Sequence, residues 1–140
     1  MHACKVVSTP LEQNVKLSSV DETKEVNGTF NRQLVGSLNY LTTTRLDISY
    51  SINILSQLMA KPLESHWMTA KKVLCYLKGT INFGLMYTDN CDVELTGYSD
   101  SDWARDIDDK KSTLGYAFNI GSRVVSWSSK KQPTISLSST

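Results

Sequence analysis

Cysteine and histidine are scarce in this chain of 140 residues, and the few that occur stand apart. The three cysteines, Cys4, Cys75 and Cys91, form no Cys-x-x-Cys pair and have no histidine pair nearby. Neither a zinc site nor a disulfide framework is therefore expected, and a reducing compartment fits best. His2 and His66 are isolated and receive no role. Ser128, Ser129, Ser136, Ser138 and Ser139 have no histidine base placed by a motif, so a serine hydrolase is not supported. A long apolar run is also missing: no stretch approaches the roughly 18 to 20 residues that a membrane-spanning helix needs. The N-terminal "MHACKVVSTPLEQNVKLSSVDETKEV" lacks the apolar centre of a signal peptide and holds too many acids for a mitochondrial presequence. The expectation is a soluble intracellular protein, cytoplasmic or nuclear. Nor is there an excess of one charge. The formal net charge is +1, with 9 basic against 6 acidic residues up to position 80 and 6 against 8 beyond it. Charge alone thus does not point to nucleic acid.

What is present suffices for one ordinary domain or two very small ones, since 40% of residues are hydrophobic and 21% charged. Residues 1–28 are polar and aperiodic and read as an extended arm draped over something else. Residues 29–80 carry helical spacing. Leu34, Leu38 and Leu41 share a face until "TTT" breaks the helix. Asp47 is placed to cap a second helix with the stripe Ile48, Ile52, Leu55 and Met59, which Lys61-Pro62 ends. A third helix carries Leu63, Trp67, Ala70, Leu74 and Leu77, with Gly79 as its C-terminal cap. Lys71, Lys72 and Lys78 fall in its second half, where positive charge suits the helix dipole. They could track a phosphate backbone, or simply be solvated.

From residue 81 to 140 the period becomes alternating. Four strands are predicted, over 83–88, 92–100, 112–120 and 123–129, with turns at Asp89-Asn90, Asp106 to Asp109 and Gly121-Ser122. Leu114, Tyr116, Phe118 and Ile120 would share one buried face. Short connections favour antiparallel pairing. The fold class is α+β, a helical segment of about three helices followed by a small antiparallel sheet.

In "TGYSDSDWARD", Asp100 ends the predicted strand, on the face that also holds Glu94, Thr96 and Tyr98. Two-metal phosphoryl chemistry uses such acids, but it needs several converging carboxylates. The plain alternative is that Asp100 and Asp102 solvate a turn. An EF-hand loop is excluded, because neither its central glycine nor its final glutamate is present. Trp103 reads as a packing residue rather than a base-stacking one.

The segments "NRQLVGSLNYLTTTRLDISYSINILSQLM", "LESHWMTAKKVLCYLKGT", "GLMYT", "LTGYSDSDWARDIDDKKSTLGYAFNIG" and "VVSWSSKKQPTISLSST" resemble, in this order, the end of the Pol polyprotein of copia-type LTR retrotransposons. The resemblance covers nearly the whole chain. It implies that the helices correspond to the reverse-transcriptase thumb and connection, and the strands to the first half of a ribonuclease H domain. By that resemblance Asp100 matches the first-strand aspartate, a ligand of the Mg²⁺ ions that act on the RNA of an RNA–DNA hybrid, while Asp102 supports the loop. In the family the "SLSST" run leads into a helix with the second catalytic carboxylate, and the polymerase aspartates lie upstream. The chain alone is accordingly expected to be inactive, with no Mg²⁺ held stably.

Leu46, Cys75, Asn31 and Arg123 depart from the usual family wording, where proline, arginine, an aromatic and glycine are common. Without the missing helix, Leu114, Tyr116, Phe118, Val125 or Trp127 would stay partly exposed, and self-association is expected. The alternative function is a non-catalytic module that binds nucleic acid or a protein partner.

Overall fold

A computed structural model of the chain describes residues 4–12, 15, 17–86, 93–102 and 111–134. The chain forms two compact units, residues 1–83 and 84–140. Together they give the expected α+β class, helices first and an antiparallel sheet after.

In the first unit, α1 spans Gly28–Leu41. It starts where Asn27 Oδ1 accepts the backbone N–H groups of Thr29 and Phe30, at 2.9 and 3.2 Å, which satisfies two of the free donors of a first turn. It stops at the three threonines by a related device. The hydroxyls of Thr42, Thr43 and Thr44 donate to the carbonyls of Asn39, Tyr40 and Leu41 at 2.7, 2.8 and 3.3 Å. The buried face runs through Asn31, Val35 and Leu38, so the expected leucine stripe is displaced and Leu41 is exposed.

A 3-10 turn, Leu46–Ile48, leads into α2, Ser49–Gln57. Asp47 lies inside that turn and caps nothing. Its carboxylate is taken instead by Arg45, a charged bidentate donor that outcompetes backbone amides. The helix ends at Leu58, ahead of the Lys61-Pro62 step. Ile48, Ile52 and Leu55 are buried as expected.

Helix α3 spans Glu64–Gly79 and buries His66, Ala70, Val73 and Tyr76. That face is turned about one residue from the predicted one, leaving Leu74 and Leu77 partly buried against the core. Gly79 is still helical and Thr80 closes the helix, so Gly79 is not a left-handed cap. Its small size serves another purpose, because a Cβ there would collide with Cγ1 of Val6. Val35, Leu38, Ile48, Ile52, Leu55, Ala70, Val73 and Tyr76 make one core.

The arm packs on this unit and runs antiparallel to α3. Cys4 is disulfide-bonded to Cys75, and Glu12 forms an ion pair with Lys72. Further along, His66 Nε2 lies 2.9 Å from the Ser18 carbonyl, and the Glu64 N–H donates to the Lys24 carbonyl at 2.8 Å. Val7 and Leu17 add apolar contact with the core. The bridge overturns the expectation that the spacing of the cysteines excludes a disulfide. Residues 71 apart in sequence meet because the arm doubles back over the last helix.

In the second unit, β1 (Leu95–Asp102), β2 (Thr113–Ile120) and β3 (Arg123–Lys131) form an antiparallel sheet in sequence order. Gly121, at φ 59°, supplies the left-handed residue that the Gly121-Ser122 turn needs. Val125 is an extra residue in β3, where the register jumps from Phe118↔Ser126 to Asn119↔Val124. The predicted strand over 83–88 is absent at residues 83–86; the rest of it, the Asp89-Asn90 and Asp106 to Asp109 turns and Trp103 lie outside the described residues. Leu114, Tyr116, Phe118 and Ile120 do share one face, but each is exposed rather than buried, at 38 to 41%.

Candidate functional site

Asp100 lies within β1, opposite Gly115. The strand continues two residues further than predicted, so Asp102, paired with Thr113, ends it instead. By the alternation of the strand, Asp100 shares its face with Tyr98, and across the register with Ala117 and Trp127. Its carboxylate is exposed. Gly115 keeps the neighbouring sheet surface low. A Cβ added there would meet only backbone oxygens, Ser128 at 3.8 Å and Asp100 at 3.9 Å. Among the described residues there is no group of three or more histidine, cysteine, aspartate or glutamate side chains able to hold a metal ion. A Mg²⁺ pair requires several converging oxygens, and the described donors do not fit one.

The three lysines of α3 are not a uniform basic stripe. Lys71 is exposed, with its ammonium 5.2 Å from the centroid of the Trp67 ring. Lys72 pairs with Glu12, and this contact lowers the Glu12 carboxyl below its ordinary range. Lys78 donates to the Cys4 carbonyl at 3.1 Å. Two of the three are thus engaged by the arm, which no periodicity could have shown.

A polar cluster joins the turn before α2 to the end of α3. Arg45 donates to both Asp47 oxygens, at 2.9 and 2.7 Å, and to the Thr80 carbonyl and hydroxyl, at 3.0 and 2.7 Å. The Tyr76 hydroxyl completes the Asp47 shell at 2.7 Å. The guanidinium, helped by that phenol, holds the Asp47 carboxyl below the usual range against the opposing effect of burial. The Asp47 carboxylate in turn pushes Arg45 and Tyr76 up, with burial adding to the rise of Tyr76. With its donors occupied by the protein, Arg45 acts as a brace rather than a ligand site. Beside it lies an open apolar groove of about 530 Å³, lined by Leu41, Leu74, Leu77, Ile81 and Phe83. Among the described residues, no helix is long and apolar enough to cross a membrane.

No family model and no solved structure matches the chain. The chain is 46% identical over 140 residues to a retrovirus-related Pol polyprotein from transposon RE1 of Arabidopsis thaliana, covering 100% of this chain and 10% of that protein. It is 43% identical over 137 residues to an uncharacterized mitochondrial protein of Arabidopsis thaliana, covering 98% of this chain and 57% of that one. A protein of Plasmopara viticola named secreted RxLR effector protein 161 is 45% identical over 107 residues, 76% of this chain and 75% of its own length. The chain is thus similar to a stretch of retrovirus-related Pol polyproteins of transposons, and spans about a tenth of the length of the polyproteins that it matches.

Proposed function

We propose that this chain is the segment of a copia-type Pol polyprotein in which the reverse-transcriptase thumb and connection meet the first half of a ribonuclease H domain, and that alone it does not cleave RNA. The observation that carries this reading is the position of Asp100 in what is, among the described residues, the first strand of an antiparallel sheet that follows three helices. The parent activity would be DNA synthesis on RNA and hydrolysis of RNA in RNA–DNA hybrids, the latter with Mg²⁺. One strand carboxylate cannot hold the metals and orient water without further acids.

The test is cleavage of a labelled RNA–DNA hybrid by the purified chain in Mg²⁺ or Mn²⁺, beside an Asp100→Asn control. No cleavage by a chain with a folded circular-dichroism spectrum is expected. Cleavage that the substitution abolishes would overturn the inactivity and keep the assignment of Asp100.

A second reading is favoured by the exposed apolar face of Leu114, Tyr116, Phe118 and Ile120: a non-catalytic module that self-associates or binds a partner there, or that binds nucleic acid through Lys71, Lys72 and Lys78. Salt-sensitive binding to a hybrid would favour the nucleic-acid role. Concentration-dependent association without such binding would favour the sheet face.

A further inference from the structure

The arm is held to α3 in two unlike stretches. Residues 18–26 are fixed by several hydrogen bonds: Ser18 with buried His66, Lys24 with the Glu64 N–H, and Val26 with the Pro62 carbonyl at 3.0 Å. Residues 4–12 have much less. Apart from the packing of Val6 and Val7, they rely on the exposed Glu12–Lys72 pair and on Lys78 reaching the Cys4 carbonyl. Exposed ion pairs contribute little. What fastens this stretch is the Cys4–Cys75 bond, whose Cα atoms stand 5.9 Å apart, within the normal span of a disulfide.

We propose that Cys4–Cys75 is a reversible thiol–disulfide switch, and that a dithiol reductant frees residues 4–12 while residues 18–26 stay docked. Both cysteines are only partly buried. They line an open cavity of about 380 Å³ together with Leu34, Trp67, Lys71 and Leu74. A reductant can reach the bond through it, and the Lys71 ammonium there favours departure of a cysteine thiolate. One thiolate of the reductant attacks a cysteine sulfur, the S–S bond breaks, and the other cysteine leaves as thiolate. The second reductant thiol then attacks the first reductant sulfur and displaces the remaining protein cysteine as thiolate, so the reductant ends as a cyclic disulfide. Its two protons finish on Cys4 and Cys75, with two electrons transferred to the protein. A low-molecular-weight disulfide reverses the step. Release takes Glu12 from Lys72 and the Cys4 carbonyl from Lys78, changing which charges α3 presents.

The whole chain tests this, oxidised, reduced with a dithiol, and as Cys4→Ser. Without denaturant, alkylation should label Cys4 and Cys75 only after reduction. Trypsin should cut after Lys5 at least tenfold faster in the reduced chain and in Cys4→Ser, while cutting after Lys24 is unchanged and reoxidation restores protection. Labels on Cys4 and Cys75 in the oxidised chain, equal cutting after Lys5 in both states, or a bond reducible only in denaturant would overturn the proposal. Equal acceleration after Lys5 and Lys24 would also overturn it, because the arm would then release as one piece.

Discussion

The Tyr76 hydroxyl donates to Asp47 Oδ2 at 2.7 Å, across a gap of 29 residues, and the same oxygen receives Arg45 Nη2. Removing the acceptor should therefore cost more than removing the phenol. Both bonds end on a charged carboxylate, each worth about 1.5–3 kcal/mol, so Asp47→Asn, which weakens both, is expected to cost more than Tyr76→Phe, which removes one. Urea unfolding of the two variants checks the order.

The cluster also sets a pH window. Asp47 has a lowered pKa in the folded chain, so its contribution is complete above the unfolded value of about 4 and is lost as pH falls through the lower folded value. Tyr76 is raised, so its contribution is complete below about 10 and is lost as pH rises through the higher folded value. Melting temperature against pH should lose its acid shoulder in Asp47→Asn and its alkaline shoulder in Tyr76→Phe.

Gly79→Ala would ordinarily stabilise a helix by up to about 1 kcal/mol. Here the added methyl would strike Val6, and a net loss of about 1–3 kcal/mol is expected from overpacking. A Val6→Ala background should recover most of that loss. If Gly79→Ala stabilises the unaltered chain, the close approach of the arm is wrong.

His66 is 1% exposed and joins two backbone groups: Nδ1 accepts the Leu63 N–H at 3.1 Å, and Nε2 donates to the Ser18 carbonyl. His66→Ala should leave the buried Leu63 N–H without its acceptor and cost about 1–3 kcal/mol. His66→Asn, which can still accept from Leu63, should cost less. Hydrogen exchange at the Leu63 amide reads the difference.

Asp100→Asn should change stability by no more than about 0.5 kcal/mol, since the side chain is exposed on a strand. Thermal melts of both forms check this. A large loss would mean that Asp100 serves the sheet rather than a ligand.

Local signals located the elements well. The spacing of Ile48, Ile52 and Leu55, and the Gly121-Ser122 turn, lie where the sequence places them, because each depends on neighbours within a turn or a hairpin. What stayed hidden depends on partners far along the chain. Asp47 has the composition of a cap, yet Arg45 and Tyr76 claim it. Gly79 has the position of a cap, yet Val6 fixes its size. Cys4 and Cys75 look unpaired until the arm is laid along α3, and the core shared with α1 and α2 takes Val73 and Tyr76 rather than Leu74 and Leu77 as its fully buried residues. For Asp100 the strand was legible but not its end, since the pairing with β2 carries β1 on to Asp102.

The antiparallel course of the arm has a consequence during synthesis. Cys4 must wait for a partner 71 residues later, which at about 5–20 residues per second is roughly 4–14 seconds on the ribosome. Residues 4–12, made before the helices, are thus among the last of this unit to find their place, and α1 and α2 can pair before the strap closes over the helix that follows them.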